Sequence, residues 1–438
     1  MARWRAGVGV VLCLLVACGQ GVSRGPPAAG PAGTVDGGTG DSGVRPPDAG
    51  TGSDGGTFPD AGSPDPTICT ESAPDDVCGS LAPPLGAKVT HQFLERLDGG
   101  PGENVFCGMG RASPASSTGV LLHPVQVQGS PPSFAFVDRD GQDIGTFGQF
   151  APDTYALDVV AQDTGFGILD RSVSGTGSDG LILVDDHGVD RGGPEPRQGS
   201  SVAPLPGGGV ALFWFQDGST TDCPAHALVR KYGDDGQASL PDWTALGCYP
   251  QSEATAIAGN SSGNVLLLVA SASPGENGWD AFWLDSDLRL VARVFPPELT
   301  SEPADQEVAI AALLDGSFVL RFGGQWKYRV QPGTTMLEAA PCWLTSRPVT
   351  DLIPIRDGAA YAAIHRGSEE CGRAVEVLTP EGRTCGYSTL DGTSGPCDMA
   401  VGRDGTLSKS PDAVVSATGE PRACVLEFWP SALGASGF

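Results

Sequence analysis

Two glycine-rich stretches carry patterns associated with catalysis or cofactor binding. Residues 259–263 (GNSSG) match the Gly-x-Ser-x-Gly nucleophile elbow, and residues 175–180 (GTGSDG) match a Gly-x-Gly-x-x-Gly dinucleotide loop. Both patterns need a helix directly afterwards, which exposes the serine hydroxyl or binds a pyrophosphate at its N-terminus. Here each stretch is followed by an apolar run, residues 265–268 and 181–184, that predicts a strand. We therefore expect neither stretch to be a catalytic or nucleotide site.

The segment 138–143 (DRDGQD) carries carboxylates at Asp138, Asp140 and Asp143, which partly matches a calcium loop. An EF-hand also requires a glutamate that is missing here, and similar acidic turns recur along the chain. A solvated hairpin tip is therefore favoured over a calcium site.

The five histidines lie in different parts of the sequence, and no pair has His-Glu-x-x-His spacing (His91, His123, His187, His226 and His365). From these residues the sequence predicts neither a metal nor a cofactor. A composite site, assembled from distant residues by the folding of a ring, stays open.

The cysteines indicate an oxidising compartment. Twelve are present, of which Cys13 and Cys18 belong to the N-terminal region, so ten remain for disulfides. No Cys-x-x-Cys pair occurs, which disfavours zinc. Cys223 and Cys248 flank a predicted hairpin with its tip at residues 233–236, so we expect them to pair. Cys371 and Cys397 flank a later hairpin less symmetrically, and the other partners stay unassigned.

Two tryptophans occupy matching places in adjacent repeats. Trp279 lies six residues before the tip that begins at Asp285, and Trp326 stands at the corresponding place in the next repeat. One reading is an aromatic binding patch at a common rim, and the other is packing between neighbouring sheets.

The composition excludes one class of partner. The formal net charge is −26, and only four lysines occur (Lys88, Lys231, Lys327 and Lys409). Each phosphate contact needs a Lys or Arg to displace counterions, so nucleic-acid binding is not expected. The 64 glycines and 37 prolines indicate many tight turns between short apolar runs.

A repeated sequence pattern indicates how these residues are positioned: an apolar strand, a tight turn that ends in Gly, then a second apolar strand. Successive copies are 42 to 55 residues apart. The turns are residues 117–119, 163–165, 206–208, 261–263, 314–316, 356–358 and 403–405. Such a period is close to that of propeller blades.

Each copy precedes a second hairpin with an Asp- or Gly-rich tip, for example at residues 137–141, 184–188, 284–287 and 379–382. Gly and Asp accept the positive φ that tight hairpin turns need. Two hairpins give four antiparallel strands, which make one blade. The sequence therefore predicts an all-β fold, a β-propeller of about seven four-stranded blades. Residues 88–94 would add a strand to the last blade or cap the disc.

The N-terminus predicts export. Arg3 and Arg5 precede an apolar run at residues 7–17, which is too short to span a bilayer. The run ends in Leu15-Val16-Ala17-Cys18, which resembles the lipobox of bacterial lipoproteins. The resemblance implies cleavage before Cys18 and acylation of its side chain, which would anchor the chain to a membrane. Gly19 differs from the Asp of an inner-membrane retention signal, which favours the outer membrane of the cell envelope.

The predicted organisation has four parts: a signal peptide at 1–17, a lipidated disordered linker at 18–67, an N-terminal extension packing on the propeller at 68–100, and the propeller at 101–433. The linker has little apolar surface to offset the entropy of ordering it.

The repeats resemble bacterial propeller lipoproteins of no assigned function and, more loosely, quinoprotein-like and Kelch-like repeats. The leading hypothesis is a membrane-tethered, non-enzymatic envelope protein whose propeller binds an unidentified protein or glycan. The alternative is an exported polysaccharide hydrolase or lyase with carboxylates in the propeller channel, and a third reading is an assembly scaffold for outer-membrane complexes.

Overall fold

The computed structural model describes residues 85–435 apart from a set of segments between and within the blades. Those segments are 94–104, 108–111, 128–132, 149–153, 173–179, 194–199, 221–222, 241, 250–254, 274–275, 295–296, 301, 304–305, 334–335, 367–372, 391–397, 411 and 416–420. The predicted signal peptide and linker fall outside the described residues. Within them, the structure has no helix long and apolar enough to cross a membrane.

The described chain begins with β1 (Val89–Phe93) and continues into three antiparallel four-stranded blades, each a simple meander. Blade 1 consists of β2 (Val105–Cys107), β3 (Leu121–Val127), β4 (Ser133–Val137) and β5 (Asp143–Phe147). Blade 2 consists of β6 (Thr154–Ala161), β7 (Gly165–Ser172), β8 (Gly180–Asp185) and β9 (Asp190–Gly192). Blade 3 consists of β10 (Ser201–Pro204), β11 (Val210–Thr220), β12 (Cys223–Tyr232) and β13 (Thr244–Tyr249).

Three further blades repeat this arrangement, and a one-turn helix precedes and follows the second of them. Blade 4 consists of β14 (Thr255–Gly259), β15 (Val265–Ser273), β16 (Glu276–Leu284) and β17 (Leu290–Val294), followed by α1 (Pro297–Thr300). Blade 5 consists of β18 (Val308–Ala312), β19 (Phe318–Phe322), β20 (Gln325–Val330) and β21 (Leu337–Ala339), followed by α2 (Cys342–Thr345). Blade 6 consists of β22 (Val349–Ile355), β23 (Ala360–Arg366), β24 (Arg373–Leu378) and β25 (Thr384–Leu390).

Blade 7 is built from both ends of the described chain. Its C-terminal strands are β26 (Met399–Val401), β27 (Leu407–Lys409), β28 (Asp412–Val415) and β29 (Pro421–Trp429). β27 and β28 pair with successive parts of β29 and so share one strand position. β1 pairs antiparallel with the other edge of β29, with Val89 opposite Phe428, and completes the blade. Of the two roles considered for residues 88–94, the added strand is therefore the observed one.

The seven blades form a ring, which confirms the predicted β-propeller. The first strands of neighbouring blades contact one another around the axis, as β10 does with β6 and β14. Among the described residues, seven hydrophobic clusters each lie between two adjacent blades. Val120, Phe136 and Phe166, for example, share the cluster between blades 1 and 2. Each blade therefore completes the core of its neighbour.

In many of the turns, a side-chain oxygen of Asp or Asn accepts hydrogen bonds from backbone amides of the turn. Asp138 Oδ1 accepts hydrogen bonds from the amides of Asp140 and Gln142 at 3.0 and 2.8 Å. Asp185, Asp285 and Asn260 accept in the same way in other blades. These local bonds use Asp138 Oδ1, so Asp138 closes the hairpin tip between β4 and β5.

Candidate functional site

The two tryptophans considered for an aromatic rim are interior residues. Trp279 on β16 and Trp326 on β20 have exposed fractions of 1% and 3%. Trp279 Nε1 donates to Pro303 O at 3.1 Å, and Trp326 Nε1 donates to Val349 O at 2.8 Å. Each ring lies in the core between two blades, because its position on the third strand faces inward. This corrects the expectation of a shared surface patch, and the packing alternative is the observed one.

The hairpin disulfide is confirmed. Cys223 is bonded to Cys248 at the open end of the β12–β13 hairpin, with the two Cα atoms 5.2 Å apart. His226 lies beside this pair, but bonded sulfurs offer no thiolate to a metal. Further disulfide-bonded residues are Cys342, Cys385 and Cys424. Cys18, Cys371 and Cys397 lie outside the described residues, so their lipidation and pairing stay predictions.

The Gly-x-Ser-x-Gly pattern forms a turn between strands. Gly259 ends β14, and Val265 begins β15 after a turn closed by Asn260. No helix follows, so the geometry of a nucleophile elbow is missing at this position. Gly180 begins β8, and the two earlier glycines of the Gly-x-Gly-x-x-Gly pattern lie outside the described residues.

Acidic turns hold neighbouring blades together at one end of the ring. The turn after the first strand and the turn after the third strand of a blade share this end, because the strands are antiparallel. Thr118 Oγ1 of blade 1 donates to Asp186 Oδ2 of blade 2 at 2.5 Å. Thr164 Oγ1 of blade 2 donates to Asp234 Oδ2 of blade 3 at 2.7 Å. Burial raises the pKa of Asp186, although the hydroxyls of Thr118 and Ser116 oppose the shift.

Arg403 lies across the axis at the same end. Its guanidinium is 2.9 Å from Asp163 Oδ1 of blade 2 and donates to Leu205 O of blade 3 at 3.3 Å. A blade 7 side chain that reaches blades 2 and 3 must cross the mouth of the channel. Burial lowers the pKa of Arg403, while the charges of Asp163 and Asp234 oppose the shift, and arginine stays cationic. These two carboxylates therefore face a fixed cation.

A cavity of about 260 Å³ lies between blades 5 and 6. It is bounded by the first turn of blade 5, the end of β20, helix α2, the start of β23 and the second hairpin turn of blade 6. Its lining residues are Leu313, Leu314, Asp315, Arg329, Pro341, Trp343, Tyr361 and Pro380. This volume is slightly below the ~300–1,000 Å³ of most small-molecule sites. The cavity therefore fits one ring-sized group.

Two aromatic rings form the apolar part of this cavity. The centroids of Trp343 and Tyr361 are 5.7 Å apart, with 33° between the ring planes. Trp343 is half-buried, so part of its ring is accessible. Gly382 supports it from the blade 6 turn: its φ is +81°, and a Cβ there would lie 2.1 Å from Trp343 Cδ2. Only glycine allows the turn to approach the ring so closely.

The polar part of the cavity is a fixed ion pair beside a hydroxyl. Asp315 pairs with the Arg329 guanidinium, and Arg329 Nε donates to Ser317 Oγ at 2.9 Å. Burial acts to raise the pKa of Asp315, but the Ser317 hydrogen bonds and the Arg329 charge outweigh it and hold that pKa low. Burial raises the pKa of Tyr361 to about 12, so its hydroxyl keeps its proton at neutral pH. That hydroxyl accepts from the Leu314 amide at 2.7 Å.

Sequence reasoning missed Trp343. The residue lies in a connection between repeats, and its neighbours gave no periodic signal. The signal that could have found it is a departure from the repeat. Residues 340–348 connect two strands and contain a tryptophan, whereas a connection between repeats is ordinarily a polar turn.

Blade 6 also contains a buried acid with basic partners. Glu376 Oε2 lies 3.0 Å from His365 Nε2 and 3.4 Å from Arg347 Nε, and Oε1 accepts from Thr384. Burial acts to raise the pKa of Glu376, but these partners outweigh burial and lower that pKa. The carboxylate is thus held ionised by the protein.

No known protein-family profile matches the chain. A curated relative, an adenine deaminase of Deinococcus radiodurans, is 37% identical over 99 residues, which are 22% of this chain and 15% of that protein. The chain thus matches far less than two thirds of that relative's length. Solved structures similar to this chain include Kuenenia stuttgartiensis hydrazine synthase, with 11% identity, a TM-score of 0.43, and coverage of 72% of this chain and 95% of that chain. An oligogalacturonate lyase in complex with manganese is 11% identical with a TM-score of 0.42, and the match covers 80% of this chain and 99% of that chain. An ulvan lyase bound to a glycan is 9% identical with a TM-score of 0.41, and the match covers 79% of this chain and 97% of that chain.

Proposed function

We propose that the protein is a non-enzymatic envelope lipoprotein, tethered through acylated Cys18, whose propeller binds a glycan between blades 5 and 6. The observation that carries the proposal is the cavity in which a partly exposed tryptophan lies beside an ion pair and a neutral tyrosine hydroxyl.

A sugar ring matches this lining in chemistry and size. The C–H face of a pyranose packs on an aromatic ring such as Trp343, and its hydroxyls donate to and accept from charged groups. Asp315 accepts hydrogen bonds and Arg329 donates them, so adjacent hydroxyls of one sugar find both partners. The volume of about 260 Å³ favours a terminal residue or a single unit of a chain.

The acids described around Arg403 favour binding over catalysis. A glycosidase needs two carboxyl groups about 5–10 Å apart that are free to exchange protons. Asp163 instead faces Arg403, and Asp234 accepts a hydrogen bond from Thr164. The alternative of a polysaccharide hydrolase or lyase therefore has weaker support at this end of the channel.

The test is a glycan array followed by titration of the best glycan. Trp343→Ala should weaken binding at least tenfold, about 1.4 kcal/mol. The matched control is Trp243→Ala, which removes a half-buried tryptophan of blade 3 that packs on Trp214 and should leave binding unchanged. Absence of any glycan ligand, or equal effects of both variants, would contradict the proposal. Cleavage of a glycan would favour the enzyme alternative, and capture of a protein that depends on Trp343 would make the partner a protein.

A further inference from the structure

Ring closure brings two histidines and a carboxylate together at the seam between blades 7 and 1. His91 lies on β1 of blade 7, while His123 on β3 and Asp143 on β5 belong to blade 1. One potential ligand atom from each residue lies within 4.8 Å of the other two. The His91 and His123 ring centroids are 5.7 Å apart.

The orientation of the His91 ring is fixed. Its Nδ1 lies 2.8 Å from Gly141 O, and because a carbonyl oxygen only accepts, Nδ1 carries a hydrogen. Nε2 is thereby directed to the other side, where it is 3.3 Å from Asp143 Oδ1 and makes no hydrogen bond. The His91 side chain is only 8% exposed, so this polar atom is buried.

We propose that a divalent cation of the zinc class binds at this seam through His91 Nε2, one ring nitrogen of His123 and a carboxylate oxygen of Asp143. Two imidazoles and a carboxylate are a donor set that suits zinc. Zinc–ligand bonds of about 2.0–2.2 Å place tetrahedral ligands roughly 3.4 Å apart. The separation of 3.3 Å between His91 Nε2 and Asp143 Oδ1 matches this edge.

The surroundings also fit a metal site. Metal-ligating histidines commonly donate their other N–H to a backbone carbonyl, which fixes the tautomer, and Gly141 O does this for His91. The buried Phe93 ring packs beside both imidazoles, with centroid distances of 6.0 Å to His91 and 3.8 Å to His123. The Asp143 side chain is 64% exposed, so the cation would enter the site from this side. A water molecule would complete the tetrahedral coordination as the fourth ligand.

The cation would link the strand that closes the ring to the first blade. β1 is joined to the last blade by its pairing with β29, and the metal adds a connection from β1 to β3 and β5. This role is independent of glycan binding, because the cavity lies between blades 5 and 6.

The experiment uses the full-length protein, purified in mild detergent, stripped with chelator and titrated with Zn²⁺ and Co²⁺. We expect one equivalent to bind per chain, Co²⁺ to show the visible absorption of tetrahedral coordination, and the melting temperature to rise with metal. Asp143→Asn, which changes a mostly exposed group and should leave the fold intact, is expected to weaken binding at least about tenfold. His91→Asn is expected to weaken it more.

His187→Asn and His226→Asn are the controls, because they remove histidines at a hairpin tip and beside the Cys223–Cys248 disulfide. Both should bind metal as the unmodified chain does. The proposal is overturned if the chain binds no metal at micromolar concentrations. It is also overturned if Asp143→Asn and His91→Asn bind as tightly as the unmodified chain, or if a control variant loses the site.

Discussion

Gly382→Ala tests whether the blade 6 turn positions Trp343. Gly382 has a φ of +81°, and an added Cβ would lie 2.1, 2.2 and 2.7 Å from three carbons of the indole. Gly333, in the corresponding turn of blade 5, has a φ of +66°, and among the residues that the structure describes nothing lies within 4 Å of an added Cβ. The two sites share the backbone requirement and differ in the contact, so Gly333→Ala is a matched control.

The expected loss of unfolding free energy has two contributions, the left-handed backbone conformation and the steric clash with the indole. An L-residue in the left-handed region costs about 1–2 kcal/mol. Forcing a methyl group into occupied space costs about 1–3 kcal/mol more, because the ring must move. Gly333→Ala should therefore lower the free energy of unfolding by about 1–2 kcal/mol, and Gly382→Ala by about 2–5 kcal/mol.

Denaturant unfolding separates the backbone cost from the cost of the clash with the indole. Both variants are measured in the unmodified chain and again in a Trp343→Ala background. Without the indole, the cost of Gly382→Ala should fall to that of Gly333→Ala. Glycan affinity should also drop in Gly382→Ala, because a displaced ring no longer lines the cavity. Equal costs for the two alanine variants, or a Gly382→Ala cost that is the same with and without Trp343, would refute the reasoning.

Three further results are expected. Cys18→Ala should abolish incorporation of labelled fatty acid and release the chain from the membrane fraction, whereas persistent acylation would contradict the anchor. Replacing both Cys223 and Cys248 by Ala opens a loop that the disulfide closes at a separation of 25 residues. The free energy of unfolding should fall by about 3.5 kcal/mol, because the unfolded chain gains loop entropy. An unchanged unfolding midpoint under non-reducing conditions would contradict this expectation. Glu376→Gln should cost about 2 kcal/mol at pH 7, since charged hydrogen bonds are lost. Because the pKa of Glu376 is lowered in the folded protein, its contribution to stability is present above pH 4.5 and is lost as pH falls. The difference in unfolding free energy between the unmodified chain and Glu376→Gln should therefore shrink in acid. A difference that does not change with pH, measured by denaturant titration, would contradict this coupling of stability to ionisation.

The blade architecture was predictable because its determinants are local. A turn residue such as Gly165 or Gly263 and the apolar run after it specify one hairpin, and a regular spacing of hairpins specifies blades. The closure of the ring was predicted only as one of two roles for residues 88–94. Local signals could not choose between the two roles, because β1 and β29 pair across more than 300 residues.

One turn shows why local rules give an incomplete account. In blade 4 the left-handed position is taken by Leu288, with a φ of +59°, where other blades have glycine. Such strain costs about 1–3 kcal/mol. Leu288 is 1% exposed in the core between blades 3 and 4, and burying it contributes about 1.5–3 kcal/mol. The cost of backbone strain and the gain from burial nearly balance. The presence of leucine at this position is therefore explained only by its contact with the core between the two blades.

The cavity arises where the repeat is broken, which is also why the repeat did not predict it. β21 has only 3 residues, and α2 fills the connection to blade 6 and carries Trp343 toward the cleft. The repeated residues, Asp315 and Gly382 among them, supply the rigid turns on either side. A ring of equivalent blades has equivalent clefts, so a ligand needs one cleft that differs. The tryptophan in an irregular connection, held between two regular turns, supplies that difference.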